Sequence, residues 1–297
     1  RRSTVSRLNV VLSLCIAQPI RQMGGKKGAV TLRSRIMKPI FSRSVSIAMV
    51  VAFAAYFFGT TDLMLRFVRL ASKLNFVSRS LQHNLSNPSG SLMGWFVARL
   101  MVEVNTASIQ DLITRAELQP GDTAMEICFG PGKGLEEMAL YEGVRLIGVD
   151  ISDTMRSQAS KLLSNHIEQG RIQLLNASVG DLPMVENNTV HKVVNMNCVY
   201  FWPSLPASLK EIYRVMTPGG RFSTGVKFEQ IKDFDPGIFR NTNKATFLKA
   251  LEDAGFVDIK TQEVRLSTGC PGKHGRSGCR VDPRSHYTGI FATKPKR

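Results

Sequence analysis

The stretch that decides the fold of this 297-residue chain is A-M-E-I-C-F-G-P-G-K-G-L, from Ala124 to Leu135. It begins as an apolar strand and runs into a turn whose glycines, Gly130 and Gly132, let the backbone approach a ligand closely. A helix that begins at Lys133 would direct its N-terminus toward that ligand. The stretch therefore predicts a strand, a ligand-binding turn and a helix. It does not match the dinucleotide fingerprint G-x-G-x-x-G, because Leu135 stands where the third glycine belongs.

An acidic residue follows the next predicted strand, in the run Gly148-Val149-Asp150. A carboxylate at the C-terminal end of a strand, beside a glycine-rich turn, can accept hydrogen bonds from both ribose hydroxyls of an adenosine. The neighbouring Ile151 can cover one face of the adenine. Asp150 could instead cap the following helix, but Ser152 or Asp153 can supply that cap. The pattern therefore favours adenosine binding.

Strand and helix patterns alternate along the second half of the chain, which is typical of a mainly parallel sheet. We predict strands over residues 123–128, 145–149, 171–175, 192–196, 221–228, 257–264 and 287–293. The predicted helices start at residue 133 and cover 153–168, 208–216 and 244–254, and a further helix at 92–104 precedes the sheet. The fold class is therefore α/β, with the ligand at the C-terminal ends of the strands.

Four motifs, taken in order, resemble those of class I S-adenosylmethionine-dependent methyltransferases. They are Glu126 with Gly130-Pro131-Gly132, then Gly148-Val149-Asp150, then Asn195-Met196-Asn197, and finally the run E-I-Y-R-V-M-T-P-G-G from Glu211 to Gly220. Within that class the chain is similar to the methyltransferase-11 type, which includes ubiquinone and menaquinone biosynthesis enzymes. The resemblance covers about residues 119–264. It implies a Rossmann-like seven-stranded sandwich, here with an N-terminal helical extension, and S-adenosyl-L-methionine as the cofactor.

The resemblance also implies roles for the first three motifs and for several residues near them. Glu126 and the turn from Cys128 to Gly132 would hold the methionine part of the cofactor, and Asp150 would hold the ribose. Ile151 would pack on the adenine, and Ser178 and Val179 would contact its edge. The backbone carbonyls from Asn195 to Asn197 would contact the cofactor's amino group. Tyr200 and Trp202 would line the acceptor side. Two positions depart from the usual pattern: Cys128 stands where glycine is usual, and Ser178 stands where an acid is common.

Methyl transfer from a sulfonium needs little more than alignment of nucleophile, methyl carbon and sulfur. A general base is needed only when the acceptor must lose a proton. Tyr200 is the candidate catalytic residue, and we expect His166 and His191 to be structural. We expect methyl transfer to a small-molecule or lipid-like acceptor. The alternative is a membrane-tethered, catalytically inactive protein that uses the same fold for binding or scaffolding.

The net charge of +16 is concentrated near the N-terminus. Residues 1–80 hold 14 Lys/Arg and a single acid, whereas the remaining residues hold 25 basic and 22 acidic side chains. The predicted catalytic domain, residues 110–297, is therefore close to neutral, and no nucleic-acid groove is expected in it.

Three segments precede the predicted catalytic domain. Residues 1–43 contain ten Lys/Arg and no acid, which is typical of a targeting segment, and because residue 1 is not Met we expect an incomplete or processed N-terminus. Residues 44–61 are uncharged and would span roughly 27 Å as a helix, so we expect a membrane anchor, with a cleavable signal or a buried helix as alternatives. Residues 62–109 read as a basic, amphipathic helical linker that lies on a membrane or packs on the core. The chain is thus expected at a membrane, either of the endoplasmic reticulum or of the mitochondrion.

The five cysteines are few, odd in number and scattered along the chain. We therefore expect no disulfide framework. Cys270 and Cys279 lie in a glycine-rich segment that predicts an ordinary loop. No metal site is expected there, because such sites need four ligands and few are near.

Overall fold

The computed structural model describes residues 83, 86, 92–231, 236–266 and 286–296. Within these residues the helices are α1 (Leu92–Ala116), α2 (Lys133–Met138), α3 (Asp153–Leu162), α4 (Ser164–Glu168), α5 (Leu205–Val215), α6 (Phe228–Ile231) and α7 (Lys244–Asp253). The strands are β1 (Thr123–Ile127), β2 (Arg145–Asp150), β3 (Ile172–Asn176), β4 (Val190–Met196), β5 (Met216–Val226), β6 (Val257–Arg265) and β7 (His286–Thr293). A 3-10 helix, Val199–Phe201, follows β4.

The seven strands form one sheet in the order β3-β2-β1-β4-β5-β7-β6. β1 pairs in parallel with β2 on one side and β4 on the other, so that Glu126 lies between Gly148 and Val194. Strand β7 runs antiparallel to both of its neighbours. The chain order reverses between β1 and β4, and in open α/β sheets such a switch point opens a crevice at the C-terminal strand ends. The predicted seven-stranded α/β fold is confirmed, and the crevice lies where the sequence predicts a ligand.

The sheet is covered on both faces. On one face, Met125 and Ile127 of β1 belong to a core cluster with residues of α5 and α7. On the other face, Ala124 packs in a second cluster with residues of α1, α2 and α3. Every position of β1 is buried, as expected for a parallel strand with helices on both sides. The central strands therefore present only their ends to a ligand.

Helix α1 is longer than the predicted helix at 92–104, and it continues across residue 110, the predicted start of the catalytic domain. Its last turns pack into the core, where Leu112 and Ile113 have no exposed surface. Asp111 accepts hydrogen bonds from the Tyr287 hydroxyl, at 2.5 Å, and from Nε of Arg115, at 2.7 Å. The alternation of strand and helix marks where the sheet begins, but it does not show that a preceding helix closes one face of that sheet.

Capping side chains explain where several helices begin. The hydroxyl of Ser204 accepts the N–H of Ala207, so α5 begins three residues before the predicted start at Ser208. Asn243 accepts the N–H of Thr246 at 2.9 Å and begins α7 at the predicted residue. The predicted helix 153–168 is divided into α3 and α4 at Leu163.

The predictions for residues 1–43 and 44–61, and for most of the linker 62–109, fall outside the described residues, as do Cys270 and Cys279. In the ranges that the structure describes, no helix has both the length and the apolar character needed to cross a membrane.

Candidate cofactor site

A pocket lies at the C-terminal ends of β1, β2 and β4. Its described lining consists of Ser86, Ile127, Cys128, Gly130, Val149, Asp150, Ile151, Met155, Ala177, Ser178, Val179, Met196, Asn197, Phe201, Trp202 and Pro203. The lining therefore brings together residues from the first three sequence motifs. The fourth motif, the run that begins at Glu211, does not contribute to it. Most of these side chains are apolar, and Asp150 is the only carboxylate among them, which suits a ligand with a flat apolar ring and a few hydroxyls.

The turn after β1 forms one wall of this pocket. The N–H of Cys128 donates to the carbonyl of Val149 at 2.7 Å, which fixes the start of the turn against β2. Cys128, Gly130 and Gly132 all have positive φ, at 56°, 53° and 91°. This left-handed geometry favours glycine, so Cys128 adopts a conformation that an L-residue rarely takes.

Glu126 lies behind the turn and does not line the pocket. Its carboxyl is buried and contacts the N-terminus of α2, where a side chain at Gly134 would overlap it. Burial raises the pKa of Glu126 well above its usual range, and a backbone N–H from Leu135 partly opposes that effect. Glu126 therefore lies against the helix behind the turn, and its contact with the methionine part stays a prediction.

Asp150 occupies the position that the sequence predicts, at the end of β2 beside the turn. One carboxylate oxygen accepts the N–H of Gly130 at 2.9 Å, and the other accepts the N–H of Ser152 at 2.9 Å. Burial raises the pKa of Asp150, and these backbone donors lower it in part. The cap of α3 is supplied by Ser152, whose hydroxyl accepts the N–H of Met155. Asp150 is therefore not needed as a cap, and a carboxylate, with about four acceptor sites, keeps acceptor capacity for a ligand hydroxyl beyond these backbone bonds.

The residues assigned to adenine lie around the same pocket. Ile151 is 55% exposed, which is unusual for so large an apolar side chain, and it lines the opening. Ser178 and Val179 line the pocket from the loop after β3, and the hydroxyl of Ser178 accepts the N–H of Gly180 at 3.4 Å. An adenine in this position would cover Ile151 and remove its apolar surface from water.

The two asparagines at the end of β4 have different surroundings. Asn195 is fully buried, its Oδ1 accepts the Thr224 hydroxyl at 2.7 Å, and its side chain does not reach the pocket. Asn197 lines the pocket, and its Nδ2 donates to Oδ1 of Asn105 at 2.8 Å. Lys227 donates to the same Asn105 oxygen at 3.4 Å. Because a lysine can only donate, Asn105 must present its oxygen here, and this fixes the orientation of the Asn197 amide.

The aromatic run after β4 corrects one of the two residues predicted for the acceptor side. The ring of Tyr200 does not line the pocket; it is 5% exposed and packs against Phe201 and Phe239. Burial raises the pKa of the Tyr200 hydroxyl, so that loss of its proton is disfavoured. Trp202 lines the pocket, as predicted, but it is 2% exposed and also packs on Phe247. Phe201, half-buried, lines the pocket where Tyr200 was expected.

The structure contains a disulfide bond that the cysteine spacing did not predict. It joins Cys128, in the turn after β1, to Cys198, just after β4, with 6.1 Å between the Cα atoms. Nε1 of Trp202 donates to Sγ of Cys198 at 3.0 Å. The two cysteines are 70 residues apart in sequence, and only the pairing of β1 with β4 brings them together.

Several lining residues were missed at the sequence level. Met155 enters from the first turn of α3 and Phe201 from the 3-10 helix after β4. Asn105 of the distant helix α1 acts indirectly, through its hydrogen bond with Asn197. The position of Met155 three residues after Ser152 was a usable signal, because the first turn of that helix faces the pocket. His191 is structural, as predicted: its Nδ1 accepts the N–H of Thr123 at the opposite end of the sheet. Among the described residues, no group of three or more His, Cys, Asp or Glu could hold a metal ion.

Comparison with known proteins supports the class of protein that the sequence motifs resemble. Residues 125–224 match the model of a methyltransferase domain. The chain is 26% identical to the uncharacterized methyltransferase YdaC of Bacillus subtilis over 164 residues, which cover 55% of this chain and 87% of that protein. It is 29% identical to demethylmenaquinone methyltransferase of Oceanobacillus iheyensis over 116 residues, which cover 38% of this chain but only 47% of that enzyme.

Structural comparison agrees on the fold. A methyltransferase from Haloferax volcanii, solved in complex with the Trm112 methyltransferase activator, superposes with a TM-score of 0.54 at 20% identity. The alignment covers 67% of this chain and 93% of that one.

The strand order and the pocket at the switch point define an α/β protein with a ligand site at the C-terminal ends of its strands. The matching domain over residues 125–224 and the relatives support a class I S-adenosylmethionine-dependent methyltransferase, and the solved structure agrees on the fold. The resemblance drawn from the sequence motifs is thereby confirmed, and so are the enzyme class and the cofactor that it implies.

Proposed function

We propose that the chain transfers the methyl group of S-adenosylmethionine to a small, largely apolar acceptor, and that the residues around Asp150 hold the cofactor. The observation that carries this proposal is the pocket itself. A carboxylate with spare acceptor capacity, an exposed Ile151 and a left-handed turn at Gly130 meet at the switch point of the sheet.

Each part of the cofactor has a matching part of the pocket. The ribose hydroxyls would donate to the carboxylate of Asp150, and the adenine would lie on Ile151 near Ser178. The methionine part would run along the turn at Gly130 toward Asn197, whose Oδ1 is buried and has no partner among the described residues. An ammonium group is a strong donor for such an oxygen. The sulfonium methyl would then point toward Phe201.

The residues present favour alignment over acid–base chemistry. Tyr200 is a poor base, because burial disfavours its phenolate. Asp150 is the only carboxylate in the described lining, and its oxygens already accept backbone N–H groups. Bound S-adenosylmethionine supplies an activated methyl group, and the chain's task is to exclude water and orient the nucleophile.

The acceptor class follows from the lining beyond the cofactor. Phe201, Trp202, Pro203 and Met196 present apolar surface there, so we propose an acceptor with a sizeable apolar part. The relative from Oceanobacillus iheyensis is named for demethylmenaquinone, which is compatible with that choice.

Incubation of the purified chain with methyl-labelled S-adenosylmethionine and a metabolite and lipid extract tests the proposal. We expect label to enter the organic phase, and Asp150→Ala, assayed beside the wild type, to lower that incorporation. Binding of the cofactor without label transfer to any fraction would instead favour the inactive binding or scaffolding protein.

We also propose that residues 1–61 direct the chain to a membrane, because they carry the basic and the uncharged apolar segments of the sequence. A chain that begins at Asp62 should bind the cofactor as the full chain does, but lose sedimentation with anionic vesicles. Equal sedimentation of both chains would contradict this proposal, and an unfolded truncated chain would place the apolar segment in the core.

A further inference from the structure

We infer that Cys128 and Cys198 form a thiol–disulfide modification site inside the cofactor pocket, through which small dithiols and disulfides control cofactor binding. The inference rests on the proposed function, since it concerns the regulation of that same pocket.

The two sulfur atoms lie where the central strands end. Cys128 follows β1 and Cys198 follows β4, so the disulfide crosses the C-terminal ends of the two central strands. These strands are already held together by the sheet, where Met125 lies beside Val193. The bond is therefore not needed to bring them together. What it restrains is the turn after β1 and the segment after β4.

Both segments that the disulfide restrains form part of the pocket. Cys128 lines it between Ile127 and Gly130, and Cys198 directly follows the lining residue Asn197. The methionine part of the cofactor would lie along this turn and toward Asn197. A disulfide that ties the two segments fixes their separation and places two bonded sulfur atoms beside that path. Reduction leaves the side chain of Cys128 free to rotate and the turn free to adjust.

The two cysteines differ in how accessible they are to a reductant. Cys128 is partly exposed at the pocket, whereas Cys198 has no exposed surface. A thiolate of a dithiol reductant can thus attack Sγ of Cys128, which forms a mixed disulfide and breaks the bond to Cys198. Cys198 leaves as a thiolate, and the N–H of Trp202, 3.0 Å away, can donate to it. A charge-assisted bond of this kind stabilises the leaving group.

The remaining steps balance the reaction. The second thiol of the reductant, as thiolate, attacks its own sulfur in the mixed disulfide and releases the thiolate of Cys128. The reductant ends as a cyclic disulfide, and its two protons end on the two cysteines. In the reverse direction a disulfide such as oxidised glutathione takes up the two electrons and becomes two thiols.

Calorimetric titration of the full chain with S-adenosylmethionine, after treatment with dithiothreitol or with oxidised glutathione, tests the inference. We expect the oxidised chain to bind at least about tenfold more weakly than the reduced chain. Differential alkylation followed by mass spectrometry reports the state of the Cys128–Cys198 pair in each sample. Cys198→Ser should bind equally well after both treatments, and Cys128→Gly serves as a second variant that cannot form the bond.

A Cys270→Ser/Cys279→Ser double variant is the matched control, and it should respond to oxidation as the wild type does. Equal affinity of the fully reduced and fully oxidised wild type would overturn the inference while leaving the proposed function intact. So would a response that persists in Cys198→Ser or disappears in the control. Failure of the reduced wild type to bind at all would contradict the proposed function itself, and the inference with it.

Discussion

Two polar clusters, both built around buried carboxylates, differ in how completely their groups are paired. Where α1 meets β7, Asp111 accepts from the hydroxyl of Tyr287 and from the guanidinium of Arg115. At the ends of β1 and β4, by contrast, three buried atoms have no partner in the described part of the chain: Oε2 of Glu126, Nδ2 of Asn195 and Oδ1 of Asn197.

This difference separates stability from function. A buried polar group without a partner costs free energy, so a fold keeps it only where another requirement outweighs that cost. The paired cluster around Asp111 is explained by the packing of α1 alone. Of the three unpaired atoms, Oδ1 of Asn197 belongs to a side chain that lines the pocket, and we attribute it to a ligand. We have no such account for Asn195, whose side chain points into the core.

The largest expected effect is a loss of stability when Trp202, which both lines the pocket and packs in the core, is replaced. Trp202→Ala removes a nearly fully buried indole that packs on Phe247, so we expect a loss of about 3–5 kcal/mol in the free energy of unfolding. Thermal and denaturant melts measure it. Phe201→Ala, a half-buried neighbour that lines the pocket, is the matched control and should lower acceptor turnover at a smaller cost in stability. Unchanged stability of Trp202→Ala would contradict the packing role of the indole and leave Trp202 only as a residue that lines the pocket.

Asp150→Ala should weaken S-adenosylmethionine binding by roughly 1.5–3 kcal/mol, because hydrogen bonds from the ribose to a charged acceptor are lost. Isothermal titration measures the change, and circular dichroism verifies the fold. Asp153→Ala, at the exposed first residue of α3, is the control that should bind normally. A folded Asp150→Ala variant with wild-type affinity would refute the ribose assignment.

Asp111→Ala should have the opposite profile. It leaves the buried hydroxyl of Tyr287 without its acceptor, so we expect unfolding to become easier by about 1–3 kcal/mol while cofactor affinity stays unchanged. Tyr287→Phe removes the hydroxyl but keeps the Asp111–Arg115 pair, and should cost less. If Asp111→Ala weakened cofactor binding as much as Asp150→Ala does, the separation between the two clusters would not hold.

Tyr200→Phe should have the smallest effect. The hydroxyl is buried away from the pocket and holds its proton tightly, so we expect less than about a threefold change in kcat. Steady-state kinetics with the identified acceptor measure it. A loss of about a hundredfold, with normal stability, would restore Tyr200 as a catalytic residue.

The sequence predicted those parts of the site that depend on local pattern. The turn at Gly130 and the acid Asp150 follow their strands directly, and strand ends on a parallel sheet must meet at one edge. Ser152 was foreseen as the alternative cap, and it is the cap. These features depend on neighbours in sequence, which is why motif and spacing were enough.

The missed parts depend on packing between distant segments. Cys128 meets Cys198 and Asn105 meets Asn197 only because of the strand order and the position of α1. A 3-10 helix after β4 determines that the Phe201 side chain faces the pocket and the Tyr200 side chain does not. The sequence patterns of strands and α-helices do not predict such a short helix. Spacing alone therefore placed the aromatic run near the pocket, where Trp202 lies as predicted, but it named Tyr200 where Phe201 lines the pocket.

The most direct test of the central claim is a crystal structure of the reduced chain with S-adenosylhomocysteine. The account predicts that the two ribose hydroxyls lie within about 3 Å of the Asp150 carboxylate and that the adenine covers Ile151. It also predicts that the amino group of the ligand lies near the end of β4. A ligand bound elsewhere, or an adenosine whose ribose faces away from Asp150, would contradict it.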